Sequence, residues 1–484
     1  MILYFPNIFI NLLNFKVMRK NLLKVAALFF AVFVSVSAMA QTVALQDVKK
    51  DAATYEVGDY KLVNDWIRST SEGNFVIDQL GGAGVIRSMA AYDGKMYFPF
   101  RGTPCSIIVV DGATGNYERT ITLDATFKAD IERGDTVAEG LGVTLANNDI
   151  RFDSEGNCLV GPCTSDLMLV YKVDLETGAC TPVIKESLKA NPDFAENSIR
   201  FDAFGVWGDV NDYAVILAVN SSALDCYRWV IEDGVAGPAE QVFLDPFYEG
   251  SELEKPGTAP IAVLVDETNF YLDGQGTLPT LYQYDGEGFA SRVDCFYNEE
   301  GALAGGAPKY TNSNGVCEFE VENKEGNMEY FMACANSAYS HTPALDFTLL
   351  KFADENRSMQ EMEVLYTFPQ AGFGDAFSAG GSKNSYFHCP VYAESDGYEA
   401  AIYCYAGENG FAKYTFTAGA QKLGSAIENV EVVNVYTEGA LVVAEGEFQI
   451  FTVTGQNVTA LNGNLNAGAY IVKTANVVAK VIVK

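Results

Sequence analysis

The sequence is poor in the residues that catalysis and metal binding usually need. Only two histidines, His341 and His388, occur in 484 residues. That is too few for a histidine-based zinc site, so no metal and no cofactor are expected. There is no C-x-x-C, nucleophile elbow, H-E-x-x-H, P-loop or dinucleotide fingerprint. The G-x-G in "GAGVIRSMAAYDG" opens a strand rather than a helix, and "DVNDY" and "FDSEGN" are too short for an EF-hand loop. Positive charge is scarce as well, with 32 Lys and Arg against 63 Asp and Glu. Four of the bases (Lys16, Arg19, Lys20, Lys24) lie in the first 40 residues, which hold no acid, so the rest has 28 bases against 63 acids, a net of −35. Such a surface repels nucleic acid and anionic lipid.

Long apolar runs are confined to the N-terminus. Met18-Arg19-Lys20 precedes "NLLKVAALFFAVFVSVSAMA", a charged segment, an apolar core and a small-residue site at Ala38-Met39-Ala40. Residues 1–40 therefore read as a signal peptide cleaved before Gln41, with Met18 the true start and the stretch before it an over-called one; a membrane anchor is the alternative. No Cys follows the cleavage site, which speaks against a lipoprotein, and no transmembrane span is expected after cleavage. The ten cysteines sit mostly inside strand-like runs ("GNCLVG", "LDCYRW", "YFMACA", "IYCYAG"). They are expected to be free, buried thiols, with disulfides of an oxidising compartment as the alternative.

What is abundant is glycine (44), phenylalanine (31) and tyrosine (26), which together with Val and Thr favour an all-β chain. A hairpin recurs: "VVDGATGNYERTITL" from Val109, "YKVDLETGACTPVI" from Tyr171, "WVIEDGVAGPAEQVFL" from Trp229, "YQYDGEGFASRVDCF" from Tyr282 and "YCYAGENGFAKYTF" from Tyr403. Each follows another strand–turn–strand, such as "SMAAYDGKMYFPFRG" or "IAVLVDETNFYLDG". Units starting near Val85, Leu145, Arg200, Ile261, Asn314 and Ala376 are 53 to 62 residues apart with four strands each. That is a propeller blade lengthened by loops. Asp111, Asp174, Asp233 and Asp285 are expected to serve turn chemistry. The segment Lys61 to Leu80 is left over; it closes the ring against the last blade or belongs to a seventh. The expectation is a six-bladed β-propeller over 41–426, with seven blades as the alternative.

The hairpins resemble the outer strands of NHL and PQQ-type propellers, which often read "V-x-D-x-x-T-G", over roughly residues 55–420. With three tryptophans (Trp66, Trp207, Trp229) the PQQ family's tryptophan pattern is missing, as is the sialidase box. From Ile427 the character changes to short alternating strands, and no acid follows Glu447. Residues 427–484 read as a small Ig-like β-sandwich of about seven strands. "FQIFTVTGQNVTAL", "NAGAYIVKT" and the terminal "KVIVK" resemble the C-terminal sorting domain of the type IX secretion system. The resemblance implies recognition by the secretion machinery, passage through the periplasm and a cell-surface or extracellular destination. Gly455, Gly468, Tyr470, Lys480 and Lys484 are the tail residues that match, with Gly468 expected at a turn and Tyr470 in the sandwich core.

In a propeller the first strand of each blade starts on one face, and the loop between the second and third returns there. This places Arg87, Asn147, Asp202, Pro260, Asn314 and Asp375 at the mouth of the channel, with Phe100-Arg101, Pro162, Asn220, Asp273, Asn336 and Cys389 at the ends of second strands. Of these, Arg87, Arg101, Asn147, Asp202, Asn220, Asp273, Asn314, Asn336 and Asp375 are the candidate ligand-binding residues. Arginines facing acids suit a carboxylate or a sugar. The first expectation is a non-catalytic surface binder of a glycan, a peptide or another surface protein. The alternatives are a glycoside hydrolase or lyase using Asp202 and Asp375, and a structural surface component.

Overall fold

The structure is a computed structural model that describes residues 49–484 apart from 75–84, 135–141, 258, 275, 299–300, 305, 309–313, 337–345, 375–388, 421–434, 445, 454, 475–477 and 484. The signal segment and residues 75–80 of Lys61–Leu80 thus lie outside the described residues. The chain is all-β, as expected, and its sheets follow one another in the manner of a propeller.

Among the described residues, the strands before residue 420 group into six antiparallel sets of four, five of them successive in sequence. The first is Ala90–Tyr92, Lys95–Phe100, Ser106–Asp111 and Tyr117–Thr122. The second is Gly142–Phe152, Cys158–Ser165, Leu167–Val173 and Cys180–Ser187. The third is Gly205–Gly208, Ala214–Val219, Asp225–Glu232 and Glu240–Leu244. The fourth is Ile261–Leu264, Asn269–Gly274, Thr277–Tyr284 and Phe289–Cys295, and its outermost strand meets that of the third in a short parallel pairing. The fifth is Val316–Glu322, Met328–Asn336, Asp346–Lys351 and Glu363–Phe368. The sixth joins Val391–Ser395, Glu399–Ala406 and Gly410–Thr417 to an N-terminal strand, Tyr60–Ser69, with Tyr55–Val57 outside it.

Burial follows position in the sheet. The second strand of the third sheet, "AVILAV", is buried at every residue because both of its faces are covered by neighbouring sheets. The outermost strand Tyr117–Thr122 alternates instead. Six apolar cores result, each shared by two sheets: first and second, second and third, and so on to fifth and sixth. The last core packs Tyr403, Tyr405 and Phe411 of the sixth sheet against Met96, Phe98 and Ile108 of the first.

The N-terminal strand secures that last junction. Its Trp66 donates from Nε1 to the Gly112 carbonyl at 2.8 Å, and Arg68 donates from Nε to the Gly115 carbonyl at 2.8 Å. Both acceptors lie in the first hairpin turn, "DGATGN". Within it Asp111 accepts from the amide (2.8 Å) and the hydroxyl (2.7 Å) of Thr114. Asp174 accepts from the amides of Glu176 and Thr177, Asp285 from those of Glu287 and Phe289, and Asp233 adopts a φ of 50°. These aspartates shape turns, as their sequence context suggested.

One unit departs from the expected frame. The hairpin from Tyr403 was expected to be an outer pair, but Glu399–Ala406 and Gly410–Thr417 are the second and third strands, because the N-terminal strand supplies the fourth. The innermost strand is therefore Val391–Ser395, and Cys389 stands just before it rather than at the end of a second strand.

The C-terminal region has five strands among the described residues rather than about seven. Tyr436–Glu438 pairs with Leu441–Val443, and Phe448–Thr452, Gly468–Thr474 and Val478–Val483 form a three-stranded sheet. Val442, Ile450, Val458, Leu465, Val472 and Val481 enclose a separate core. Tyr470 is buried there and donates its hydroxyl to the Asn466 carbonyl at 2.9 Å. Gly455 lies in a turn with a φ of 87°. Gly468 does not: it opens a strand, and an added Cβ would meet only the Tyr470 ring, at 3.8 Å. Lys480 is exposed, and Lys484 lies outside the described residues.

Candidate functional site

The register of the inner strand pairs gathers the candidate residues at one end of the sheets. Ile86 bridges Phe100, Phe201 bridges Asn220, Ile261 faces Asp273, and Val316 faces Cys334. Arg87, Asp202 and Asn314 are thereby placed around the starts of first strands. Arg101, Asn220, Asp273 and Asn336 stand at the ends of second strands. Asn147 sits at a bulge in Gly142–Phe152, where Leu145 faces Cys163. Asp375 lies outside the described residues.

Most of these side chains are turned to the protein itself. Asn147 donates from its amide to the carbonyls of Phe100 (3.1 Å) and Ser106 (2.8 Å), tying the second sheet to the first. Asn220 accepts from the amides of Arg200 and Ser222 and donates to Ser198. Asn336 donates to Asp346 and Thr348, and Asn314 reaches the Ala259 carbonyl at 3.4 Å. Asp273 is fully buried, near Cys334 and Cys389. Asn147, Asn220 and Asn314 thus donate to backbone carbonyls, whereas Asn336 bonds side chains of the strand it pairs with.

The charged members form a different group. Asp202 is 1% exposed, and both of its oxygens accept from Arg200, Oδ2 from Nε at 3.1 Å and Oδ1 from Nη2 at 2.8 Å. The Cys163 thiol donates to the same Oδ1 at 3.4 Å. Arg87 stands within the field of Asp202, Arg101 and Arg200. Arg101 stands near Cys163 and Glu408, the last from the turn between the second and third strands of the sixth sheet. Burial lowers the affinity of Arg87 and Arg101 for their protons, and it pushes the Cys163 thiol up to about 12. The hydrogen bonds to Asp202 raise that of Arg200. Three guanidinium groups and two carboxylates thus meet at one end of the ring.

Arg200, Cys163 and Glu408 were not among the expected site residues. Glu408 was missed because its hairpin was assigned to an outer pair, whose turn points away from the mouth. The signal was present in the leftover strand at Lys61: once it supplies a fourth strand, the turn "GEN" must return to the mouth.

The first strands enclose a cavity of about 220 Å³ lined by Tyr92, Phe152, Val206, Val263, Val316 and Tyr392, among others. Arg151 also lines it, donating from Nε to the Phe204 carbonyl (2.8 Å) and from Nη1 to the Tyr392 hydroxyl (2.6 Å), with Asp149 as ion-pair partner at 3.2 Å. Asp149 also accepts from Ser88 at 2.6 Å and from the Phe204 amide at 3.1 Å. This network links four sheets and leaves the Arg151 guanidinium engaged. Among the described residues no three His, Cys, Asp or Glu side chains lie close enough to hold a metal ion, and no helix is long and apolar enough to cross a membrane.

No protein-family model matches the chain, and no curated protein matches it in sequence. Solved structures similar in outline include a DUF4623 family protein from Bacteroides eggerthii (12% identity, TM-score 0.45, covering 77% of this chain and 76% of that one). The N-terminal domain of Nup159 (9%, 0.34, 77% and 89%) and the Dos1 propeller (10%, 0.31, 69% and 68%) are others. These likenesses are too distant to bear on function.

Proposed function

We propose that this is an exported, non-catalytic β-propeller of six blades that binds a ligand, a glycan in the first place, over the mouth of its central channel. The observation that carries the binding reading is the convergence of Arg87, Arg101 and Arg200 with Asp202 and Glu408 at one end of the ring. Six blades are supported by the six shared cores and by the N-terminal strand that completes the sixth sheet. The hydrolase alternative needs a carboxylate able to trade protons with a substrate. Asp202 is poorly suited, because Arg200 occupies both of its oxygens. Screening the chain from Gln41 against a glycan array, with reducing-end products assayed in parallel, tests this reading. Binding without new reducing ends is expected. Turnover would favour the hydrolase, and binding to peptides or surface proteins alone would replace the glycan.

Residues 427–484 are proposed as the sorting module that the secretion machinery recognises, with a cell-surface or extracellular destination after passage through the periplasm. Their separate core supports this. Deleting 427–484 is expected to leave a soluble, β-rich propeller in the periplasm, as fractionation and circular dichroism would report. Export at the undeleted level would make the tail a plain stalk, and an unfolded product would move the boundary near 426.

A further inference from the structure

We infer that the mouth of the channel seats a carboxylate on Arg101, with Arg87 beside it, so that the ligand is an acidic, uronate-bearing glycan rather than a neutral one. This rests on the proposal that the mouth binds a glycan.

The geometry comes from the first sheet. Ile86 bridges Phe100 in antiparallel fashion, and the Arg101 amide donates to the Val85 carbonyl at 3.0 Å. Arg101 therefore stands opposite Val85 and Arg87 two residues further along, and both arginine side chains leave the same face of this ladder. Arg87 is 9% exposed and feels Asp202 as well as Arg101 and Arg200.

The other cation of the group is already matched, since Arg200 is bound twice to Asp202. Arg101 is not. Among the described residues its half-buried guanidinium makes no side-chain hydrogen bond and no ion pair, although Glu408 acts on it through space. A planar guanidinium with five donors, reaching solvent at the mouth, matches a carboxylate through two parallel hydrogen bonds. The charged residues at the mouth are Arg87, Arg101, Arg200, Asp202 and Glu408, and none of the exposed large apolar side chains is among the candidate ligand-binding residues. Such a lining suits a hydroxyl-rich acid better than an apolar peptide. It is also set against a strongly acidic chain, net −31 overall, so selection of an acidic ligand demands a local cluster of this kind.

The test uses the chain from Gln41 and three probes followed by isothermal titration: a galacturonic acid oligosaccharide, its methyl ester, and a glucose oligosaccharide of the same length. The acid is expected to bind at least tenfold more tightly than its ester. Arg101→Gln is expected to abolish that difference and Arg101→Lys to restore part of it, with circular dichroism showing all variants folded. Because the Arg101 side chain makes no hydrogen bond or ion pair among the described residues, these variants should be stable, and the acid–ester comparison needs no variant at all. Equal binding of acid, ester and neutral probe would overturn the carboxylate assignment and leave the glycan reading standing. No binding of any probe, together with an empty glycan array, would overturn both.

Discussion

At the scale of single residues, polar groups do two separable tasks. Asn147, Asn220 and Asn314 donate to backbone carbonyls, whereas charged residues collect at the mouth. One tight steric requirement is at the closing turn. Gly115 has a φ of +67°, and a Cβ there would lie 2.6 Å from the Trp66 ring. Gly115→Ala must therefore bear both the left-handed backbone and displacement of the indole, whose Nε1 is fixed to Gly112. A loss of about 2 kcal/mol is expected, within the usual range for overpacking. A urea midpoint would record it, whereas Gly58→Ala, with the same backbone strain but open space around it, should lose less. Equal losses would mean that Trp66 does not constrain the turn.

At the scale of elements, the ring depends on a strand from the far end of the chain. Tyr60–Ser69 pairs with Gly410–Thr417 along its length, and it carries Trp66 and Arg68 to the first sheet. Without it the sixth sheet ends in an open edge and the sixth–first core loses its indole. A chain starting at Ser71 is expected to lose the sharp thermal transition of one starting at Gln41 and to elute as aggregate. An unchanged melt would show that closure is dispensable. Much of this level was legible beforehand: four of the five hairpins are outer pairs as their Asp and Gly turns indicated. The fifth was misplaced because a local repeat does not reveal which strand is supplied from elsewhere.

At the scale of the whole molecule, burial governs ionisation. The ten cysteines are unpaired, and all but Cys105 and Cys317 are buried. Thiol titration is therefore expected to find ten reactive groups in the denatured, unreduced chain and very few in the native one. Burial pushes Cys180 up to about 11 and Cys163 and Tyr97 up to about 12, against ordinary values of 9.0 for the thiol and 10.0 for the phenol. A group held protonated by the fold supports stability fully below its unfolded value and loses that support as pH rises toward its folded one. The urea midpoint should thus be flat from about pH 7 to 8.5 and fall between about pH 9 and 12. A midpoint unchanged at pH 11 would mean that these groups reach solvent.

The sequence by itself determined the strands, the turns and the end at which polar residues gather. These follow from local terms: side-chain alternation, the positive φ that Gly and Asp tolerate, and the fixed order of strands within a repeat. Tertiary structure alone decided which strand closes the sixth sheet, and hence that Glu408 belongs at the mouth. It alone decided that Arg200 is spent on Asp202 while Arg101 keeps its donors. Pairing between residues 350 positions apart, and the sharing of one carboxylate among several cations, depend on where the ring brings side chains together, and no short stretch of chain carries that information.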